Sequence, residues 1–207
     1  MITIGVTGGI GSGKSAVTAI LRDLGAAIVD ADQVGHQIYQ PGATAYGELV
    51  AEFGERILAP DKTVDRKKLG PIVFADPAAL KRLNSIVHPK MLNRMREMVA
   101  EMRARGERLP IVIEAAILIE ANWQPLFDEI WLVSAPRGFI LSRLERDRGM
   151  KADQTEARIR SQLSDQERRQ HASVLIDNDG SLDDLRVRVR VLWQAALERG
   201  RSKLDHA

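Results

Sequence analysis

The segment Gly8-Gly9-Ile10-Gly11-Ser12-Gly13-Lys14-Ser15 constrains this chain more than any other stretch. It matches the pattern G-x-x-x-x-G-K-[ST]. Ahead of it, residues 2–7 read as a short buried strand. Behind it, Val17, Ile20, Leu21 and Leu24 recur at helical spacing, and Gly25 supplies a stop. A strand that feeds a glycine turn and then a helix is the context in which this pattern holds phosphate. The glycines let main-chain N–H groups approach an anion closely, and the helix points its positive end at the same place. Lys14 has the length to reach β- and γ-phosphates, and the Ser15 hydroxyl is a ligand for Mg2+. The expected nucleotide contacts are Gly9, Gly11, Ser12, Gly13, Lys14, Ser15 and Ala16.

The rest of the chain alternates strand-like and helix-like segments. Residues 26–29, 111–113, 129–133 and 174–176 read as further strands, and residues 89–105, 136–146, 152–172 and 185–196 as helical. Such alternation predicts an α/β fold, a parallel sheet flanked by helices. The stretch 33–76 is different, with turn signals at Pro41-Gly42 and Pro60-Asp61, and reads as an insertion beside the core. Met91, Met95, Met98 and Met102 fall at spacings of four, three and four, a packing stripe. Trp123, Trp131 and Trp193 also read as packing residues, and Asp177-Asn178-Asp179-Gly180 as a turn.

Two carboxylates, Asp30 and Asp32, end the second strand. Ligands of open parallel sheets bind beyond the carboxyl ends of the strands, so this pair belongs on the phosphate edge. Asp32 suits a base that takes the proton of an acceptor hydroxyl, and it is also a candidate metal ligand with Ser15. Asp30 suits the water shell of the metal. A helix N-cap is an equal alternative for an Asp here. Glu114 ends the third strand, either to hold a metal-bound water or as an ordinary polar strand end. Glu120 reads as structural. Arg143, Arg146 and Arg148 cluster at the end of a helix, where small P-loop kinases carry a lid whose guanidinium groups offset charge on the transferring group; for any one of them the alternative is a solvated helix face with pairs such as Arg143 with Glu145 or Asp147.

Composition excludes several classes. Among 207 residues there are 30 Lys and Arg against 28 Asp and Glu, a net charge of +2, which argues against a nucleic-acid binder. No cysteine is present, which excludes disulfides and thiolate chemistry and fits a reducing cytoplasm. The N-terminal residues do not read as a signal peptide, and the apolar run 111–121 is broken by Glu114 and Glu120, so no membrane span is expected. His36, His88, His171 and His206 show no metal-ligand spacing.

Six motifs fall in one order: T-G-G-I-G-S-G-K-S at 7–15, D-A-D at 30–32, P-G at 41–42, L-N-x-x-x-H-P at 83–89, R-L-x-R-D at 143–147 and I-D-N-x-G at 176–180. Together they resemble the dephospho-coenzyme A kinase family over nearly the whole chain. The resemblance implies a P-loop NTPase fold of the nucleoside-monophosphate-kinase type, with an acceptor-binding subdomain at about 31–90 and a lid at about 140–165. It implies ATP and Mg2+ as cofactors and phosphorylation of the ribose 3′-hydroxyl of dephospho-coenzyme A, the last step of coenzyme A synthesis. It assigns Asp32 as base, Lys14 and Arg143 as catalytic partners, and His88 and Pro89, with Asp32, to the acceptor side. Four positions depart from the family pattern: Ala16 for Thr, His36 for Arg, Ala116 for Pro and Ser173 for Asp. A kinase for another small alcohol and a nucleotide-dependent switch are the rival expectations.

Overall fold

The computed structural model describes residues 2–205; His206 therefore lies outside the described residues. The elements run β1 (Thr3–Thr7), α1 (Lys14–Asp23), β2 (Ala27–Asp30), α2 (Ala31–Ile38), α3 (Tyr46–Phe53), α4 (Arg66–Ala75), α5 (Pro77–Ala104), β3 (Ile111–Glu114), β4 (Glu129–Ser134), α6 (Arg137–Arg148), α7 (Ala152–Arg160), α8 (Asp165–Arg169), β5 (Val174–Asp177) and α9 (Leu182–Asp205). The strands form one sheet in the order β2-β3-β1-β4-β5. The ladders β1–β3, β1–β4 and β4–β5 are all parallel. Every residue of β1 is buried, as expected of a central strand covered on both faces. Among the described residues, no helix is long and apolar enough to cross a membrane.

The chain divides into two compact units, residues 1–29 with 102–207, and residues 30–101. In the first, Ile4, Val6, Val112, Trp131, Val133 and Ile176 of the sheet join Val17 and Leu21 of α1 and Leu185, Val189 and Trp193 of α9 in one core. α1 packs on α9. Trp123, Trp131 and Trp193 are all fully buried, as their packing assignment requires. In the second unit, Leu49, Phe53, Ile57, Leu69, Val73 and Met95 are buried. Of the methionine stripe, Met91 and Met95 are buried and Met98 and Met102 only partly so.

One helix boundary differs from the sequence expectation. The helix expected to open at Pro89 begins twelve residues earlier, at Pro77, and runs through Pro89. Its start is set by Asp76, whose carboxylate accepts the Ala78 N–H at 2.8 Å. Proline at the first helical position costs nothing, because its missing N–H has no partner there. Inside the helix, Pro89 removes one hydrogen bond, yet the helix persists because Ala79, Met91, Met95 and Val99 are buried along it. Sequence reasoning gave the local cost of proline too much weight against tertiary packing.

The parallel registers decide where the chemistry lies. Val6 stands opposite Glu114 and Trp131, and Ser134 opposite Asp177. The carboxyl ends of β1, β3, β4 and β5 therefore share one edge of the sheet. The glycine loop, Glu114, the start of α6 and the turn after β5 all leave the sheet there.

Candidate active site

The glycine loop follows β1 and enters α1 through Gly13, the N-cap of α1, at φ +100°. α1 has no side-chain cap and no acidic residue in its first turn. The positive end of α1 therefore meets the glycine loop with no capping side chain across it. The loop is also packed too tightly for side chains. A Cβ on Gly8 would sit 2.3 Å from the Val133 carbonyl oxygen, and one on Gly13 only 2.1 Å from Asn178 Nδ2. These contacts and the uncapped helix start make a cradle that fits the phosphates of a nucleotide.

Lys14 Nζ donates to the carbonyls of Gly8 at 2.8 Å and Gly9 at 3.2 Å, so the ammonium is folded over the loop. The Ser15 hydroxyl donates to Glu114 Oε1 at 3.1 Å, and the buried Thr18 hydroxyl to Glu114 Oε2 at 2.6 Å. Glu114 is thus more than a polar strand end: its carboxylate is oriented by two hydroxyls of α1. A hydroxyl and a carboxylate side by side are oxygen donors of the kind that suits a hard divalent cation. Among the described residues, no group of three or more His, Cys, Asp or Glu forms a cage for a metal.

A cavity of about 690 Å³ opens beside the loop, lined among others by Gly13, Lys14, Ser15, Phe139, Arg143 and Asn178. Of the three candidate arginines, Arg143 is tied to the loop. It donates to the Ser12 carbonyl at 3.4 Å and to Asn178 Oδ1 at 3.0 Å, and it lies 5.5 Å over the Phe139 ring. Arg146 pairs instead with its neighbour Asp147, and Arg148 also lines the cavity.

Past α6, Gln162 Oε1 accepts the Ile10 N–H at 2.9 Å. Arg168, almost wholly buried, donates to the Leu163 carbonyl and pairs with Glu120 at 2.8 Å. Glu120, expected to be structural or solvent-facing, is exposed and holds the buried Arg168 guanidinium.

The N-cap reading holds for Asp30. Asp30 ends β2 and caps α2, its Oδ1 accepting the N–H groups of Asp32 at 2.8 Å and Gln33 at 3.3 Å. Asp32 sits in the first turn of α2 and is exposed. His36, one turn further on, meets Arg66 at 2.5 Å through Nε2 and Tyr39 at 3.3 Å through Nδ1. A guanidinium therefore stands beside the position where the family more often has arginine. His88, within α5, is half-buried, and burial pulls its imidazole below the ordinary value, favouring the neutral ring. Pro89 is exposed on the same helix. At another departure, the Ser173 hydroxyl accepts the Ile130 N–H at 2.8 Å and stitches β5 to β4.

Sequence reasoning missed Asn178 and Gln162. Asn178 was taken with its neighbours as a turn, but it is 5% exposed and reaches the phosphate loop. The one signal for it was its place in I-D-N-x-G after β5. Nothing in the sequence marked Gln162.

The dephospho-CoA kinase family model matches residues 2–184. The dephospho-CoA kinase of Thermobifida fusca is 39% identical over 98% of this chain and 100% of its own length. That of Frankia casuarinae is 43% identical over 98% of this chain and 87% of its own. The solved structure of dephospho-CoA kinase from Campylobacter jejuni superposes with a TM-score of 0.72 at 25% identity, covering 95% of this chain and 98% of that one. With a full-length match in sequence and in fold, this chain belongs to the dephospho-CoA kinase family.

Proposed function

We propose that this protein transfers the γ-phosphoryl group of ATP to the ribose 3′-hydroxyl of dephospho-coenzyme A, giving coenzyme A and ADP. The bond from γ-phosphorus to the β,γ-bridging oxygen breaks as a new bond forms to the 3′-oxygen. The 3′-hydroxyl proton passes to Asp32. The observation that carries the reading is the loop cavity itself: an uncapped helix start, a lysine and an arginine converge on one glycine turn.

Each side chain then has a task. The phosphates lie against Gly9, Gly11, Ser12, Gly13, Lys14, Ser15 and Ala16, and Lys14 turns from the Gly8 carbonyl to the β- and γ-oxygens. Arg143 offsets charge on the transferring group. Ser15 and Glu114, and Asp32 from the acceptor side, are the oxygens that would hold Mg2+, and the ion when bound supplies charge neutralisation between the phosphates. Asp32 is supported as base by its exposed position at the start of α2, just past the carboxyl end of β2. His88 and Pro89 belong to the acceptor-binding subdomain at about 31–90. A neutral imidazole at His88 offers a hydrogen bond rather than a charge. The segment 140–165 acts as the lid, and the reaction belongs to the cytoplasm.

The test is mass spectrometry of dephospho-coenzyme A incubated with ATP, Mg2+ and the protein. The expected product carries one added phosphoryl group on the ribose 3′-oxygen. ADP formed at the same rate with and without the acceptor, and no phosphorylated product, would overturn the proposal.

A further inference from the structure

Asn178 follows β5, and every polar group of its side chain is engaged at the phosphate loop. Its own N–H donates to the Ser134 carbonyl at 2.7 Å, which fixes its backbone to the end of β4. Its side-chain Nδ2 donates to the Ser12 carbonyl at 2.8 Å. Its Oδ1 accepts from Arg143 at 3.0 Å, and its carbonyl oxygen accepts from the same guanidinium nitrogen at 3.3 Å. Arg143 in turn donates to the Ser12 carbonyl at 3.4 Å, closing a triangle of loop, amide and guanidinium.

The orientation of the amide is dictated by its partners. A guanidinium can only donate and a carbonyl can only accept, so rotating the amide by half a turn would break both bonds. Asparagine is needed because it offers one donor and one acceptor a short distance apart, and Asp would turn an oxygen toward the Ser12 carbonyl. The close approach also explains Gly13, since any Cβ there would meet Nδ2 at 2.1 Å.

We propose that Asn178 is a positioning residue for phosphoryl transfer, its buried amide registering the Arg143 guanidinium to the phosphate loop before nucleotide arrives. The proposal rests on the reading of Arg143 as the group that offsets charge on the transferring phosphoryl. An arginine side chain loses rotamer entropy when it is held in one orientation. Holding it in the folded protein means that this ordering does not fall on the reaction. Misplacing such a group by an ångström costs on the order of 10²-fold in rate.

The test is a double-mutant cycle on kcat with Asn178→Ala, Arg143→Ala and the pair. Asn178→Ala is expected to lower kcat by roughly 10²-fold in the wild-type background. In the Arg143→Ala background the same change is expected to lower it by less than about threefold, because nothing is left to position. Losses that multiply, or no loss from Asn178→Ala, overturn the proposal. Thermal melts establish that each variant is folded. If Asn178→Ala is not, Asn178→Ser runs the same cycle and must show the same non-additivity. Arg143→Ala alone reports on the underlying reading. An unchanged kcat there overturns the role of Arg143, whereas a large Arg143 effect with multiplying losses overturns only the role of Asn178.

Discussion

Two strand-to-helix turns in this molecule are built alike and finished in opposite ways. β1 runs into α1 through the glycine loop, and β2 runs into α2 through Asp30. At the first turn no side chain caps the helix and no acidic residue stands in its first turn. At the second, the Asp30 carboxylate takes the N–H groups of Asp32 and Gln33, so that helix start is satisfied from within. A helix N-terminus is attractive to any negative group, and the residue at the N-cap decides whether it serves itself or a ligand. The capped turn leaves Asp32, the neighbouring carboxylate, in the first turn and exposed. The first turn is thus finished by glycines and the second by a carboxylate of its own.

The comparison breaks most sharply at the two aspartates. With Asp32 as the proposed base, Asp32→Asn keeps the shape but cannot accept the proton, and kcat is expected to fall by about 10²–10⁴-fold. ATP affinity, measured by calorimetry, should stay nearly unchanged. Asp30→Ala removes only the cap and is expected to cost about 1 kcal/mol of stability, with a far smaller change in kcat. Equal kcat losses from the two variants would mean that the division of labour between them is wrong.

A smaller effect is expected from closing the open turn. Gly13→Ala puts a methyl group at a backbone φ of +100° and against Asn178 Nδ2. Strain of this kind is worth about 1–3 kcal/mol, expected here as weaker ATP binding in a titration and a lower melting temperature. An unchanged affinity would show that the loop adopts another shape when loaded, and the contrast with the second turn would then be one of sequence rather than of geometry.

Much of this contrast was legible in the sequence, because it is local. Gly8–Ser15 carries its own backbone requirement, and an aspartate at the end of an apolar run announces either a cap or a working carboxylate. What stayed hidden depends on which elements the fold brings together. Glu114 looked like an ordinary strand end until the β1–β3 register placed it against the Ser15 and Thr18 hydroxyls. Asn178 lies 166 positions from Ser12, and no local pattern records that bond. The start of α5 was hidden for a different reason: Pro89 is a strong local signal for a helix boundary, and the buried side chains along that helix outweigh it.

The amino end of the sheet sharpens the comparison, because it should carry stability and no chemistry. Glu129 opens β4, where it accepts two bonds from Arg199 and one from the Trp131 indole N–H at 2.9 Å. Burial alone would raise its pKa, but the bonds from Arg199 and Trp131, with the charge of Arg199, outweigh burial and hold the carboxyl below its ordinary value. In the unfolded chain Glu129 titrates at the ordinary value of a glutamate. Between the folded and unfolded values the unfolded state binds more protons, so stability rises with pH. The contribution is complete above the unfolded value and is lost as pH falls through the lower, folded one. Arg199→Gln removes the partner that offsets burial, so the acid-induced loss of melting temperature should begin at a higher pH. Because Arg199 is half-exposed, the change near neutral pH should be small, about 1 kcal/mol or less. kcat should not move, since this end of the sheet lies opposite the edge where the phosphate loop emerges. A loss of kcat in folded Arg199→Gln would mean that strain at the amino end reaches the loop along β4, and the separation of stabilising and working edges would have to be given up.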